Sequence, residues 1–362
     1  MTQPDRMVAL RLHPDGQLRL HDEPIPAPGA GEALIRVTAV GLCGSDRHWM
    51  VDRGIGDAVL SSPLVLGHEF AGVVETGRLA GRRVAVDPAD PCGTCELCLS
   101  GAANLCQAIR FAGHGRTDGA LRACMAWPEA CLHEVSDRVT DAEAALIEPL
   151  AVALHALDLG RLREGGTVAV IGCGPIGVLL VALARRGGAS AVIASDPLRQ
   201  RLEMASAFGA TTTVEVPPTG GQVAAVLDAT GGRGCDLVLE VAGESTAVEA
   251  AVEAARPGSR VILVGIPSDD RTTFTASVAR RKGLTLKLAR RSTQDTFDRA
   301  VALAESGDLE LARLVSCRAP LQDCDDAVAG FVARAGMKVI IEPSSARASS
   351  PGASGLRASS PL

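Results

Sequence analysis

The sequence predicts an α/β protein in which a doubly wound parallel sheet follows a mainly β first half. Three observations predict it. From Glu148 onward, apolar runs of strand length alternate with helical patterns. Alternation of this kind requires parallel strands joined by crossover helices. A glycine-rich turn, Gly172-Cys-Gly174-Pro-Ile-Gly177, sits between the first such strand and its helix. Before residue 150, short candidate strands are separated by Gly/Pro/Asp clusters, and no long helical periodicity appears.

The early strands are Ala33–Val40, Gly72–Glu75 and Arg83–Val86. The alternating region reads as strand Thr167–Ile171, helix Pro175–Arg186, strand Ala191–Ser195 and helix Pro197–Phe208. It continues with strand Asp236–Val241, helix Ser245–Ala255 and strand Arg260–Val264. These strands are almost continuously apolar, as both faces of a covered sheet demand. After Leu288 the pattern loosens into helices Asp295–Glu305 and Asp323–Val332 and a strand Met337–Glu342. The Ser/Ala/Gly/Pro-rich stretch 344–362 is expected to be a disordered tail.

With 362 residues the chain is long enough for two domains. Its 47% hydrophobic content supplies a large interior, and its net charge of −6, without a basic block, argues against a nucleic-acid partner. The amino terminus lacks the apolar segment of a secretory signal, so a cytoplasmic location is expected. Thr167–Ala184 is uncharged, but its glycines and Pro175 break it into strand, turn and helix, which argues against a membrane span. Eleven cysteines, an odd number, speak for thiolate–metal chemistry over a disulfide framework. Six of them (Cys124, Cys131, Cys173, Cys235, Cys317, Cys324) stand singly and read as small buried hydrophobes.

The Gly172–Gly177 turn is a dinucleotide fingerprint in its context. Gly172 makes the tight turn, Gly174 lets a pyrophosphate approach the backbone, and Gly177 lets helix and strand pack closely. Asp196 follows Gly172 by 24 residues at the end of the next strand. A carboxylate there suits the ribose hydroxyls of NAD and repels the extra phosphate of NADP. It would equally well open the helix at Pro197, and Arg199 and Arg201 nearby are able to tolerate a phosphate.

Cys92, Cys95, Cys98 and Cys106 fall in a polar, turn-rich segment at spacings that suit a closed, structural tetrahedral zinc. A second set is dispersed: Cys43 in GLCGSDRHWM, His68 and Glu69 in LGHEF, and Glu148 in IEPLAVALHAL. Spacing alone leaves these open. His68 is compatible with a hydrogen-bonded core histidine, and Glu148 with a carboxylate favoured at a helix start.

In order along the chain, GLCGSDRHW, VLGHEFAG, the four-cysteine segment, IEPLAVALHAL and GCGPIG resemble the zinc-containing medium-chain alcohol dehydrogenases. The resemblance is closest to the sorbitol (polyol) dehydrogenases and runs from about residue 7 to 343. It implies a GroES-like catalytic domain over 1–154, with its zinc lobe at about 87–110. A Rossmann NAD-binding domain would occupy 155–289, with a return to the catalytic domain over 290–343. It also implies two zinc ions and NAD as cofactors, and a homodimer or homotetramer.

Residue by residue, the resemblance assigns Cys43, His68 and Glu69 to the catalytic-zinc motif. Glu148 matches the acidic residue that polyol dehydrogenases place beside that metal, directly or through water. Ser45 and His48 match a proton relay, and Asp46 matches the carboxylate that orients the zinc histidine. Cofactor contacts are expected from Gly172, Gly174, Ile176, Gly177, Asp196 and Arg201. The implied substrate is a polyol or cyclitol. Amino alcohols of the threonine type and aminocyclitols are the alternatives, and a non-catalytic NAD-binding zinc protein a more remote one. Two segments depart from the polyol pattern: FAGHGRTDGALRACM, and Arg291-Ser292 in place of an Arg-Tyr pair.

Overall fold

The computed structural model describes residues 6–217 and 221–343, so the tail expected at 344–362 lies outside the described residues. A six-stranded, wholly parallel sheet organises the second half. Across it run Thr212–Glu215, Ala191–Asp196, Thr167–Ile171, Cys235–Glu240, Ala255–Leu263 and Thr285–Leu288. The chain order therefore reverses between Thr167–Ile171 and Cys235–Glu240. That reversal opens a crevice outside the carboxyl ends of the strands, where ligands of such sheets bind. Both faces are covered: Val168, Ala169, Val170, Val192, Ile193, Ala194, Val238 and Leu239 are at most 1% exposed.

Two edge strands, Thr212–Glu215 and Thr285–Leu288, were not predicted. Both are largely exposed, so they lack the apolar runs that reveal the inner strands. The helix expected at Pro197 begins at Arg199. The Asp196 side chain explains the delay, because its Oδ1 accepts the Leu198 N–H at 2.8 Å and holds a turn ahead of the helix.

The first half carries an antiparallel sheet in the order Leu132–Glu134, Arg83–Val86, Glu69–Val74 and Glu32–Gly41, with Cys124–Pro128 also paired to Glu32–Gly41. Lys338–Glu342 joins the same sheet beside Glu32–Gly41, and Val315–Pro320 lies outside it. The end of the chain thus completes the sheet begun at residue 32. A nine-residue helix, Gly44–Asp52, interrupts this mainly β region, which also carries the shorter helices Glu96–Leu99 and Asp141–Ala145. Among the described residues, no helix is long and apolar enough to cross a membrane.

The helix Ile147–Gly160 lies between the two sheets. Its residues Ile147, Leu150, Ala151 and Ala153 are fully buried, in one cluster with Ala39, Ala71 and Ala85 of the antiparallel sheet and Val168 and Val170 of the parallel one. The helix Gln294–Ser306 contributes Phe297 and Ala300 to that cluster.

Candidate active site

Two segments of the first half converge on one point. Cys43 precedes the helix Gly44–Asp52 and donates its N–H to Asp46 Oδ2 at 2.9 Å. Its sulfur therefore stands at the amino end of a helix, where negative charge is favoured. His68 lies just before the strand Glu69–Val74, and that strand pairs with Glu32–Gly41 in a register that sets Gly41 opposite Glu69. A Cβ at Gly41 would come within 2.3 Å of Glu69 Oε2, so the glycine makes room for the carboxylate. Cys43, His68 and Glu69 each offer one ligand atom, and these atoms lie within 4.8 Å of one another.

The surroundings orient this set. His68 Nδ1 faces Asp46 Oδ1 at 3.6 Å, and its Nε2 lies 3.3 Å from Ser45 Oγ. Asp46, wholly buried, also accepts the Gly67 N–H at 3.2 Å. Burial works against the His68 imidazolium, but the charges and hydrogen bonds of Asp46 and Cys43 outweigh it, and the His68 pKa stands well above the ordinary value. His48, one turn beyond Ser45 on the same helix, holds Asp52 Oδ2 through Nδ1 at 2.7 Å. A thiolate, an imidazole and a carboxylate leaving further positions open suit a catalytic zinc.

Glu148 stands outside this converging group. It is 6% exposed, and burial pushes its carboxyl up to about 8; Glu69 and Asp87 add to that push, while His68 and Lys338 oppose it. Asp87, at the end of Arg83–Val86, is likewise pushed up to about 6 by burial. Sequence reasoning missed Asp87, and also His114, whose ring meets Trp49 and Phe111. Burial, with Arg291 and His68, lowers the His114 pKa. It missed Lys338 too, which donates to both Glu69 oxygens and, at 3.0 Å, to the Leu42 carbonyl beside Cys43. The one available signal was a lysine at the head of an apolar strand, which when buried needs a counter-charge.

The four lobe cysteines form a second cluster. Cys92–Cys98, Cys95–Cys98, Cys95–Cys106 and Cys92–Cys106 Sγ separations are 3.9, 3.5, 3.8 and 3.5 Å. Thiolates about 2.3 Å from a central zinc would be about 3.8 Å apart at tetrahedral angles. A disulfide requires about 2.05 Å. The lobe thus fits a closed tetrahedral metal site.

A cleft of about 1020 Å³ opens over the carboxyl ends of the parallel strands, lined by Gly172, Gly174, Asp196, Arg201 and Glu215 among others. Gly172 has φ 95°, and a Cβ there would meet the Ala242 N at 2.9 Å. Asp196, 2% exposed, accepts the Cys173 N–H through Oδ2 at 2.8 Å, so one carboxylate fastens the glycine-rich turn to the adjoining strand. Arg201 Nη1 lies 3.7 Å from it. Two buried atoms here, Ser195 Oγ and Arg201 Nε, have no hydrogen-bond partner. A Cβ at Gly174 would have nothing within 4 Å, whereas one at Gly177 would strike the Gly172 carbonyl oxygen at 2.0 Å. The open space before the helix Pro175–Arg186 therefore fits a phosphate group. Ile176, expected to meet the cofactor, is partly buried and packs against the core.

Residues 29–137 match the alcohol dehydrogenase GroES-like domain, and residues 175–306 match the zinc-binding dehydrogenase domain. The chain is 34% identical to the sorbitol dehydrogenase of Macaca fascicularis over 342 residues, 92% of this chain and 95% of the relative. It belongs to the zinc-binding medium-chain dehydrogenases. Galactitol-1-phosphate dehydrogenase from Escherichia coli superposes on this dehydrogenase with a TM-score of 0.84 at 29% identity, covering 93% of this chain and all of that one. An alcohol dehydrogenase of Escherichia coli CFT073, solved with NADH, has a TM-score of 0.85 at 27% identity, over 93% and 99% of the two chains. The family confirms the zinc-dependent character read from the motifs, and this dehydrogenase is related to enzymes of polyols.

Proposed function

We propose that this dehydrogenase oxidises a secondary hydroxyl of a vicinal polyol or cyclitol to a ketone, with NAD as hydride acceptor. The observation that carries the reading is the polarity of the pocket around the metal residues. Cys43 is the one cysteine of that group. Glu148 and Asp87 share its electrostatic surroundings, and Arg291 lies beside Phe111. Buried polar groups left unpaired over an alkyl chain would cost about 1–3 kcal/mol each, and a polyol can satisfy them.

Cys43 and His68, with Glu69, would hold the catalytic zinc, and the four lobe cysteines a structural one. Bound there, zinc would supply Lewis acidity toward a hydroxyl, and NAD in the cleft over the parallel sheet would serve as the hydride acceptor. Ser45 Oγ, beside His68 Nε2, accepts the hydroxyl proton, and His48 passes it outward with Asp52 steadying the imidazole. Glu148, buried beside this group, is placed to hydrogen-bond a neighbouring hydroxyl and so to fix which carbon faces the cofactor. Asp196, with Glu215 at the same register in the next strand, favours NAD by repelling a 2′-phosphate.

The alternatives are amino alcohols of the threonine type and aminocyclitols. A screen of polyols, cyclitols, amino alcohols and simple alcohols with NAD tests the proposal. The expected result is a kcat/KM for a vicinal polyol or cyclitol well above that for any primary alcohol. Simple primary alcohols outperforming every polyol and cyclitol would defeat it.

A further inference from the structure

The cysteine lobe is tied to the substrate pocket through one residue. Asn104, 7% exposed, lies in the 3-10 turn Ala103–Leu105 directly before Cys106. Its side-chain amide donates to the backbone carbonyl of Arg290 at 2.9 Å and lies 3.5 Å from His155 Nε2. Arg291 answers in the opposite direction, its Nη1 donating to the Asn104 backbone carbonyl at 3.3 Å. Two reciprocal bonds thus clasp segments almost the whole parallel-sheet region apart in the chain.

The clasp falls at a strained point of the backbone. Arg291 has φ 57°, a left-handed conformation that a residue with a Cβ keeps only when its surroundings enforce it. The next side chain toward the metal residues is Phe111. The Arg291 guanidinium lies 4.9 Å from that ring's centroid, and the Phe111 ring lies 5.4 Å from that of His68. Arg290 is a second positive charge beside it, which opposes close approach of the two guanidinium groups. Arg291 therefore reaches the pocket from a backbone that does not keep this shape by itself.

We propose that Asn104 is a positioning residue for substrate binding: by holding the Arg290 carbonyl it fixes the Arg291 backbone and aims its guanidinium along Phe111 at substrate hydroxyls remote from the reacting carbon. The inference rests on the polyol reading above. It gives the lobe a part in selectivity in addition to stability. If Asn104 merely satisfied a buried carbonyl, its loss would lower all activities together.

The test is a double-mutant cycle of Asn104→Leu and Arg291→Ala, assayed with NAD, the best polyol from the screen, and 2-butanol. Asn104→Leu is expected to raise the polyol KM about tenfold with kcat changed less than about twofold, so that polyol-to-2-butanol selectivity falls. The double variant should have the polyol KM of Arg291→Ala alone, because one residue acts through the other. Zinc content and the unfolding midpoint identify variants that fold. Should Asn104→Leu fail on either, Asn104→Ser supplies the same cycle. Additive effects of the two substitutions, or equal losses on polyol and 2-butanol, would overturn the positioning role. If Arg291→Ala itself leaves selectivity for polyols intact, the polyol reading fails instead.

Discussion

The ammonium of Lys338 lies 2.6 and 2.8 Å from the two carboxylate oxygens of Glu69, and neither side chain is more than 2% exposed. Through its third bond, to Leu42, the same lysine braces the residue before Cys43. Removing it would leave a buried carboxylate without its counter-charge. Lys338→Met is expected to lower stability by about 3–5 kcal/mol in denaturant unfolding. A loss below about 1 kcal/mol would mean that Glu69 finds its counter-charge elsewhere.

The two metal clusters should separate by mutation. Cys43→Ser is expected to remove one zinc per chain and abolish turnover with little change in the unfolding midpoint. Cys98→Ser should remove the other zinc and mainly destabilise, because a closed site contributes directly to folding. Zinc content and thermal unfolding of the two variants check this; fully active wild-type protein with fewer than two zinc ions would contradict it.

Asp196 has two duties that a single substitution exposes together. It stands where NAD's ribose is expected, and it fastens the Cys173 and Leu198 N–H groups. Asp196→Ala should raise the NAD KM and improve the use of NADP relative to NAD, by about tenfold in the ratio of kcat/KM. Wild-type preference for NADP would show that Arg199 or Arg201 governs the pocket.

Gly174 and Gly177 make a contrasting pair. Gly174→Ala adds a methyl group to open space. It should weaken cofactor binding, read by titration with NADH, and leave the unfolding midpoint in place. Gly177→Ala drives a Cβ into the Gly172 carbonyl and should destabilise by about 3 kcal/mol. Similar stability for both variants would refute the assignment of separate roles.

Asp236 supplies a pH dependence far from the metal. Partial burial raises its pKa, but hydrogen bonds from Arg233, Thr167 and Arg256 prevail and hold the carboxyl well below its ordinary range. A depressed folded-state pKa contributes stability that is complete above the ordinary carboxylate value, about 4, and is lost as the pH falls further. Asp236→Asn should therefore lower the unfolding midpoint at neutral pH, and its deficit against wild type should shrink below about pH 4. A deficit independent of pH would refute the ionic origin.

What could be read from the sequence was local. The glycine-rich turn, Asp196 at the next strand's end, and the four lobe cysteines each lie within short stretches, so periodicity and spacing sufficed. The meeting of Cys43 with His68 and Glu69 depends on the pairing of Gly41 with Glu69, which spacing does not encode; only family resemblance supplied it. Lys338 and Glu69 are 269 positions apart, and Asn104 and Arg290 are 186 apart. Such pairs are products of chain return, with no local trace beyond a polar residue amid apolar neighbours.

The helix Ile147–Gly160 has a mechanical consequence. Its second residue is Glu148, and its far end packs beneath the parallel sheet, where Leu237 crowds Gly160. At about 1.5 Å per residue the rod sets about 18 Å between those points. A tilt of about 5° at the sheet end would swing the Glu148 backbone by about 1.5 Å, enough to make or break a hydrogen bond. Glu148 and the sheet-packed Gly160 are thus the two ends of one rigid element, so the position of the carboxyl group is set by packing about 18 Å away.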